Sequence, residues 1–143
     1  RSNTRGDYWV FDLASKKLQK LGGTAKPSSL MFAKFSPDAT RVGYVRENNI
    51  YVENLADGRI TPLTTDGAQY TVNGTFDWVY EEELFCRDGF RWSPDGKQIA
   101  YWQLDASGVK EFKMINNTDE LYPKIISFPY PKAGEMNSAA RVG

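Results

Sequence analysis

Four acids fall within seven residues in Phe76-Asp77-Trp78-Val79-Tyr80-Glu81-Glu82-Glu83-Leu84-Phe85. Three of them are adjacent, and apolar residues flank the group on both sides. Neighbouring like charges repel, and apolar flanks draw them toward a poorly solvated place, which is costly unless a cation compensates. That cation is an internal Arg or Lys, a metal ion, or the ammonium group of a ligand. An ammonium offers three donors and no acceptor, so two carboxylates satisfy it well. The plain alternative is a solvated acidic turn, or carboxylates paired with the domain's own arginines.

The element that must carry these acids is a short helix. Asp77 is placed to cap it, its side-chain oxygen facing the amides of the next turn. Residues 78–85 then form one to two turns, and acids near a helix start are favoured by the backbone dipole. Glu81 shares a face with Trp78 and Phe85, whereas Glu82 and Glu83 diverge by about 100°. Trp78 and Tyr80 are expected either to line a cleft or to anchor the segment.

Other chemistries are closed off by composition. The chain has no His, so it offers neither an imidazole base nor a His-ligated metal. A single Cys, Cys86, rules out an internal disulfide and a Cys-cluster metal site; it reads as a small buried apolar residue. A net charge of zero argues against a general electrostatic grip on nucleic acid or an anionic membrane. No apolar run approaches the roughly 18 residues of a membrane span, and no signal peptide is visible. No cofactor is expected. The chain opens on Arg1 and is expected to be a piece of a longer protein.

The chain repeats itself. Phe35-Ser36-Pro37-Asp38 and Trp92-Ser93-Pro94-Asp95 each close one strand, turn, and lead into a strand bearing a Tyr, Tyr44 or Tyr101. Ser and Asp side chains bond turn amides and Pro presets one backbone angle, so turn chemistry alone explains the motif. After the first copy, strands over 41–46, 50–55 and 59–63 alternate with turns at Glu47-Asn48-Asn49 and Asp57-Gly58. The fold class is all-β: antiparallel four-stranded meanders forming about two to three blades of a β-propeller, with a short acidic helix inserted around 77–85. The expected organisation is the end of one blade over 1–22, a full blade over 29–65, the acidic insertion over 68–85, a further blade over 86–132, and the start of the next over 133–143. In the further blade, 98–104 runs out, 109–115 runs back, and 124–128 forms the outer strand. Two or three blades cannot close a ring, so this piece is expected to be marginal alone.

Asp77-Trp78-Val79-Tyr80-Glu81-Glu82-Glu83 strongly resembles the glutamate-bearing segment of the dipeptidyl peptidase IV family of serine exopeptidases. Tyr122-Pro123-Lys124 and Phe128-Pro129-Tyr130-Pro131-Lys132-Ala133-Gly134 look like further stretches of that family, as do Trp92-Ser93-Pro94 and Asn49-Ile50-Tyr51-Val52. The resemblance implies an eight-bladed N-terminal propeller followed by an α/β-hydrolase domain that is absent from this chain. It implies that two propeller glutamates, here Glu82 and Glu83, hold the free N-terminus of a peptide. Glu81 would be structural, with Asp77, Trp78 and Tyr80 in support. An arginine from the preceding blade would touch the substrate carbonyl and the glutamates; the match places it at Arg1, with Arg5 as the alternative. The intact protein would remove N-terminal dipeptides with Pro or Ala in second place, would form a homodimer, and would work outside the cytoplasm as a periplasmic, secreted or membrane-anchored enzyme. This chain would select substrate rather than hydrolyse it, because it carries no Gly-x-Ser-x-Gly elbow and no His for a triad.

Two other readings compete. One is a non-enzymatic propeller scaffold that binds another protein. The other is a carboxylate metal site at Glu81 to Glu83. Among the remaining residues, Tyr130 between two prolines reads as a rigid extended connector. Asn73-Gly74-Thr75 and Asn116-Asn117-Thr118 are glycosylation sequons by pattern.

Overall fold

The structure, a computed structural model, describes residues 3–143. It is built almost wholly of antiparallel strands, with one five-residue helix. Strands β1 (Trp9–Phe11) and β2 (Leu18–Lys20) form a two-stranded hairpin. Its bend at Asp12 to Ser15 is held by the Asp12 carboxylate, which accepts from the Ser15 amide at 2.6 Å and the Ser15 hydroxyl at 2.7 Å.

A four-stranded meander follows: β3 (Leu30–Phe35), β4 (Arg41–Arg46), β5 (Asn49–Asn54) and β6 (Ile60–Pro62), paired in chain order. The β4–β5 turn uses positive φ at Glu47 (49°) and Asn48 (61°), the mirror-image geometry that matches strand twist. The β3–β4 turn is the first Ser-Pro-Asp copy. Ser36 Oγ donates to Asp38 Oδ1 at 2.6 Å and accepts the Arg41 amide at 3.0 Å, while Asp38 Oδ1 accepts the Thr40 amide at 3.2 Å. The second copy repeats this with Ser93 to Asp95 at 2.6 Å, the Gln98 amide to Ser93 Oγ at 3.0 Å and the Lys97 amide to Asp95 at 3.0 Å. Ala39 and Gly96 occupy the same left-handed position of the two turns, with φ of 56° and 68°.

The meander is buried on both faces because β4 alternates its side chains between two cores. Val42 and Tyr44 join Leu21 and Leu30 against Tyr8 and Val10 of the preceding hairpin. Val45 joins Met31, Ile50 and Phe90, with Ile99 and Tyr101 of the next sheet packed on them. Sheets stacked face to face through shared cores are the blade packing of a propeller. Gly43 lets the two sheets approach closely: a Cβ there would lie 3.1 Å from Phe90 Cε2. A polar tie reinforces the junction, with the Lys34 ammonium against the Asp88 carboxylate and 3.6 Å from the centre of the Phe90 ring. Burial pulls Lys34 below its ordinary pKa, and Asp88 opposes that pull.

The next sheet is centred on β9 (Ile99–Asp105). On one side of it, β7 (Thr71–Asn73) pairs with its C-terminal half and β8 (Phe90–Trp92) with its N-terminal half. Between β7 and β8 the chain departs as the acidic insertion. The other edge differs from expectation. Strand β10 (Glu111–Asn116) does not return along β9; it pairs over its whole length with β11 (Lys124–Pro129), forming a separate and largely exposed hairpin. The edge of β9 is taken instead by β12 (Ala139–Val142), with Ala139 opposite Asp105 and Val142 opposite Trp102. The tail therefore completes the sheet centred on β9, where a following blade was expected to begin, and residues 124–128 are not its outer strand. Strands β10 and β11 pair in register from Glu111 opposite Pro129 to Asn116 opposite Lys124, which uses the β10 edge that a return along β9 would need. Among the described residues no helix is long and apolar enough to cross a membrane.

Candidate functional site

The acidic helix is α1 (Trp78–Glu82), shorter than the 77–85 span expected. Asp77 caps it as expected: it has extended backbone, and its Oδ1 accepts the Tyr80 amide at 3.2 Å. The Glu83 amide donates to Val79 O at 2.9 Å, and the chain then reverses at Phe85, whose φ is 56°. Left-handed geometry at an aromatic residue ends the helix. The Cys86 amide closes the bend on Tyr80 O at 2.9 Å.

The three glutamates meet three environments. Glu81 is buried, and Arg87 Nε lies 3.9 Å from its Oε1. Glu82 is half-buried and Glu83 is exposed. Glu83 makes no ion pair with the described residues. Successive helical residues point about 100° apart, which gives the three carboxylates different surroundings.

Several contacts fix the helix. Tyr80 stacks on Phe76 at 5.9 Å, and Phe76 packs against Trp102 of β9 at 6.4 Å. Trp78 packs on Tyr130 at 4.4 Å. The Ser138 hydroxyl donates to the second oxygen of Asp77. The segment entering the helix is set by Asn73, which is fully buried. Its Nδ2 donates to Asn48 O at 3.1 Å and Asp66 Oδ1 at 3.0 Å, and its Oδ1 accepts from Gln103 at 2.9 Å. Gly74 follows with φ of 72°, where a Cβ would lie 2.8 Å from Ile50 Cγ1. The sequon at Asn73 therefore serves packing. The sequon at Asn116 closes a turn, with its Oδ1 accepting the Thr118 amide at 3.0 Å.

A cleft of about 770 Å³ opens beside the helix. Asp77 and Trp78 stand on its wall with Arg5, Tyr70 and Phe128, while Glu82 and Glu83 are not among its lining residues. Of the residues singled out in the sequence, Asp77, Trp78, Tyr80, Glu81, Glu82 and Glu83 thus share one helix and its caps. Arg1 lies outside the described residues. Tyr130 and Ser138, which hold the helix, were legible only as a connector and an unremarked serine. Their partners are 52 and 61 residues away in the chain, and nothing local signals such contacts. Among the described residues no group of three His, Cys, Asp or Glu side chains is arranged to hold a metal ion.

Over residues 1–143 the chain matches the family described as the dipeptidyl peptidase IV (DPP IV) N-terminal region. It is 35% identical over 147 residues to dipeptidyl aminopeptidase B of Saccharomyces cerevisiae, an alignment covering 99% of this chain and 17% of that protein. It is 34% identical to dipeptidyl-aminopeptidase B of Aspergillus niger, covering 96% of this chain and 16% of that protein. Its fold superposes on the crystal structure of Porphyromonas gingivalis dipeptidyl peptidase 4 with a TM-score of 0.89 and 34% identity, covering 96% of this chain and 20% of that one. The chain spans about a sixth to a fifth of the relatives it matches. Its antiparallel sheets are part of a β-propeller, and the chain belongs to the family of dipeptidyl peptidase IV N-terminal regions.

Proposed function

We propose that this chain is the substrate-gating propeller segment of a serine-type dipeptidyl peptidase, acting outside the cytoplasm on peptides with a free N-terminus. Glu82 and Glu83 receive the terminal ammonium, and Arg1 contacts the substrate's first carbonyl. Glu81, buried beside Arg87, holds the helix rather than the substrate. Two carboxylates gripping the ammonium set how far the peptide enters, so cleavage falls after the second residue, with Pro or Ala preferred there. The hydrolase that cuts is supplied by another part of the protein.

The observation that carries this reading is the grading of the three glutamates along a capped helix within a chain that matches the family throughout. The inner acid is buried near an arginine, the next is half-buried and the third is exposed. The test is steady-state kinetics of the full-length protein on a dipeptidyl anilide with a free amine. Removing one partner of a desolvated charge pair typically costs ~3–5 kcal/mol. The double variant Glu82→Gln/Glu83→Gln is therefore expected to lose at least about a hundredfold in kcat/KM. A double variant with the parent rate would refute the proposal.

A further inference from the structure

We propose that Tyr130 and Ser138 are positioning residues for the ammonium site, acting through Trp78 and Asp77. This rests on the function proposed above and extends it to residues more than 45 positions further along the chain.

Helix α1 has five residues, far too few to hold itself. What holds it comes from outside, and two of its contacts reach it from one stretch of chain. The first is the Tyr130 ring, 4.4 Å from that of Trp78. Tyr130 is itself fixed. Pro129 and Pro131 restrict its backbone, its amide donates to Lys110 O at 3.0 Å, and its ring packs on Phe112 at 5.5 Å and Phe128 at 6.4 Å. The base of the β10–β11 hairpin is thus a rigid aromatic platform, and Trp78 at the start of the helix leans on it. The second contact is Ser138, which donates to Asp77 Oδ2 while Oδ1 caps the helix. One carboxylate both starts the helix and ties it to the strand that closes the β9 sheet.

Both ties seize the N-terminal end, and Glu82 and Glu83 lie one turn beyond. A small rotation about the cap would swing both carboxylates together. Binding groups must be held to about 0.5 Å of their working geometry by the packing behind them. Tyr130 and Ser138 supply that packing without touching substrate.

The test uses the full-length protein and a dipeptidyl anilide with a free amine. Tyr130→Ala and Ser138→Ala are expected to raise KM about tenfold and several-fold respectively, with kcat changing less than about threefold, because ground-state binding is what they disturb. Tyr130→Phe keeps the ring and Ser138→Thr keeps the hydroxyl, so both are expected to restore KM. A role in folding alone would lower the active fraction, reducing maximal rate at unchanged KM, and that result overturns the inference. Glu82→Gln/Glu83→Gln is measured alongside. If it lowers kcat/KM while Tyr130→Ala and Ser138→Ala leave KM unchanged, the positioning role fails and the function stands. If the glutamate variant leaves kcat/KM unchanged, the function fails and the positioning role falls with it.

Discussion

Glu53 shows what this fold demands of a carboxylate taken out of water. It is 2% exposed, and its Oε2 accepts the Gly22 amide at 2.8 Å and the Tyr44 hydroxyl at 3.2 Å. Burial first, and then the Glu53 charge, push the Tyr44 hydroxyl above its ordinary pKa, so it stays a donor across the physiological range. The contact joins the meander to the chain leaving the preceding hairpin, which makes it a blade-to-blade tie. Glu53→Ala would leave two buried donors unpaired at about 1–3 kcal/mol each. We expect urea unfolding of the full-length protein to show a loss of roughly 2–5 kcal/mol, and a smaller one for Glu53→Gln, whose amide oxygen still accepts. An unchanged midpoint for Glu53→Ala would mean that neither donor depends on it. Strand alternation puts Glu53 on the face of Tyr51, and Tyr44, which donates to Glu53, stacks on Tyr51 at 6.1 Å. That this acid is buried was not legible, because its amide partner lies 31 residues away. The acidic run was legible for the opposite reason: its cap, its helix and its charges are all local.

At the scale of elements, the Ser-Pro-Asp turns are the most legible parts of the chain, and their carboxylates make them sensitive to acid. The Ser36 hydroxyl and the Thr40 amide hold Asp38 down to a pKa of about 2, from an ordinary value of 3.8. The Ser93 hydroxyl and the Lys97 amide lower Asp95 in the same sense. A carboxyl depressed in the folded state gives stability that is complete above its unfolded pKa and lost as pH falls through the folded one. Both turns should therefore hold above pH 4 and weaken between about pH 4 and pH 2. Asp38→Asn/Asp95→Asn should lower stability at neutral pH and flatten its fall in that acid window, as read from thermal melts at stepped pH. Parallel curves for parent and variant would show that these turns contribute nothing to acid sensitivity. The strands beyond the turns were harder to place. The second Ser-Pro-Asp copy marked 98–104, 109–115 and 124–128 as strands by analogy with the first, but a repeat does not name a neighbour. The sequence order of three strands suggested a meander, whereas β10 pairs with β11 alone and the β9 edge goes to β12.

At the scale of the whole molecule, the chain holds two complete junctions between sheets and little else to close them. The first core lies between the β1–β2 hairpin and the meander, and the second between the meander and the β9 sheet. Outside them, apolar side chains face solvent: Leu13 is 74% exposed, Leu18 61% and Trp9 55% on the first hairpin, and Ile115 and Ile125 are similarly bare on the last. In a repeat architecture each unit buries its faces on its neighbours, so outer units lacking them lose most of their stabilising contacts. The relatives are five to six times longer than the aligned region, ample for such neighbours. Residues 1–143 produced alone should thus bind a dye for exposed apolar surface, unfold over a broad range, and melt well below the full-length protein. The central meander, packed on both faces, should be the last to lose amide protection in hydrogen exchange. The β1–β2 and β10–β11 hairpins should exchange first. Sharp unfolding of the isolated chain, independent of concentration and at the parent's melting temperature, would show that the two cores suffice without neighbours. The propeller would then be a row of self-sufficient units rather than a cooperative ring.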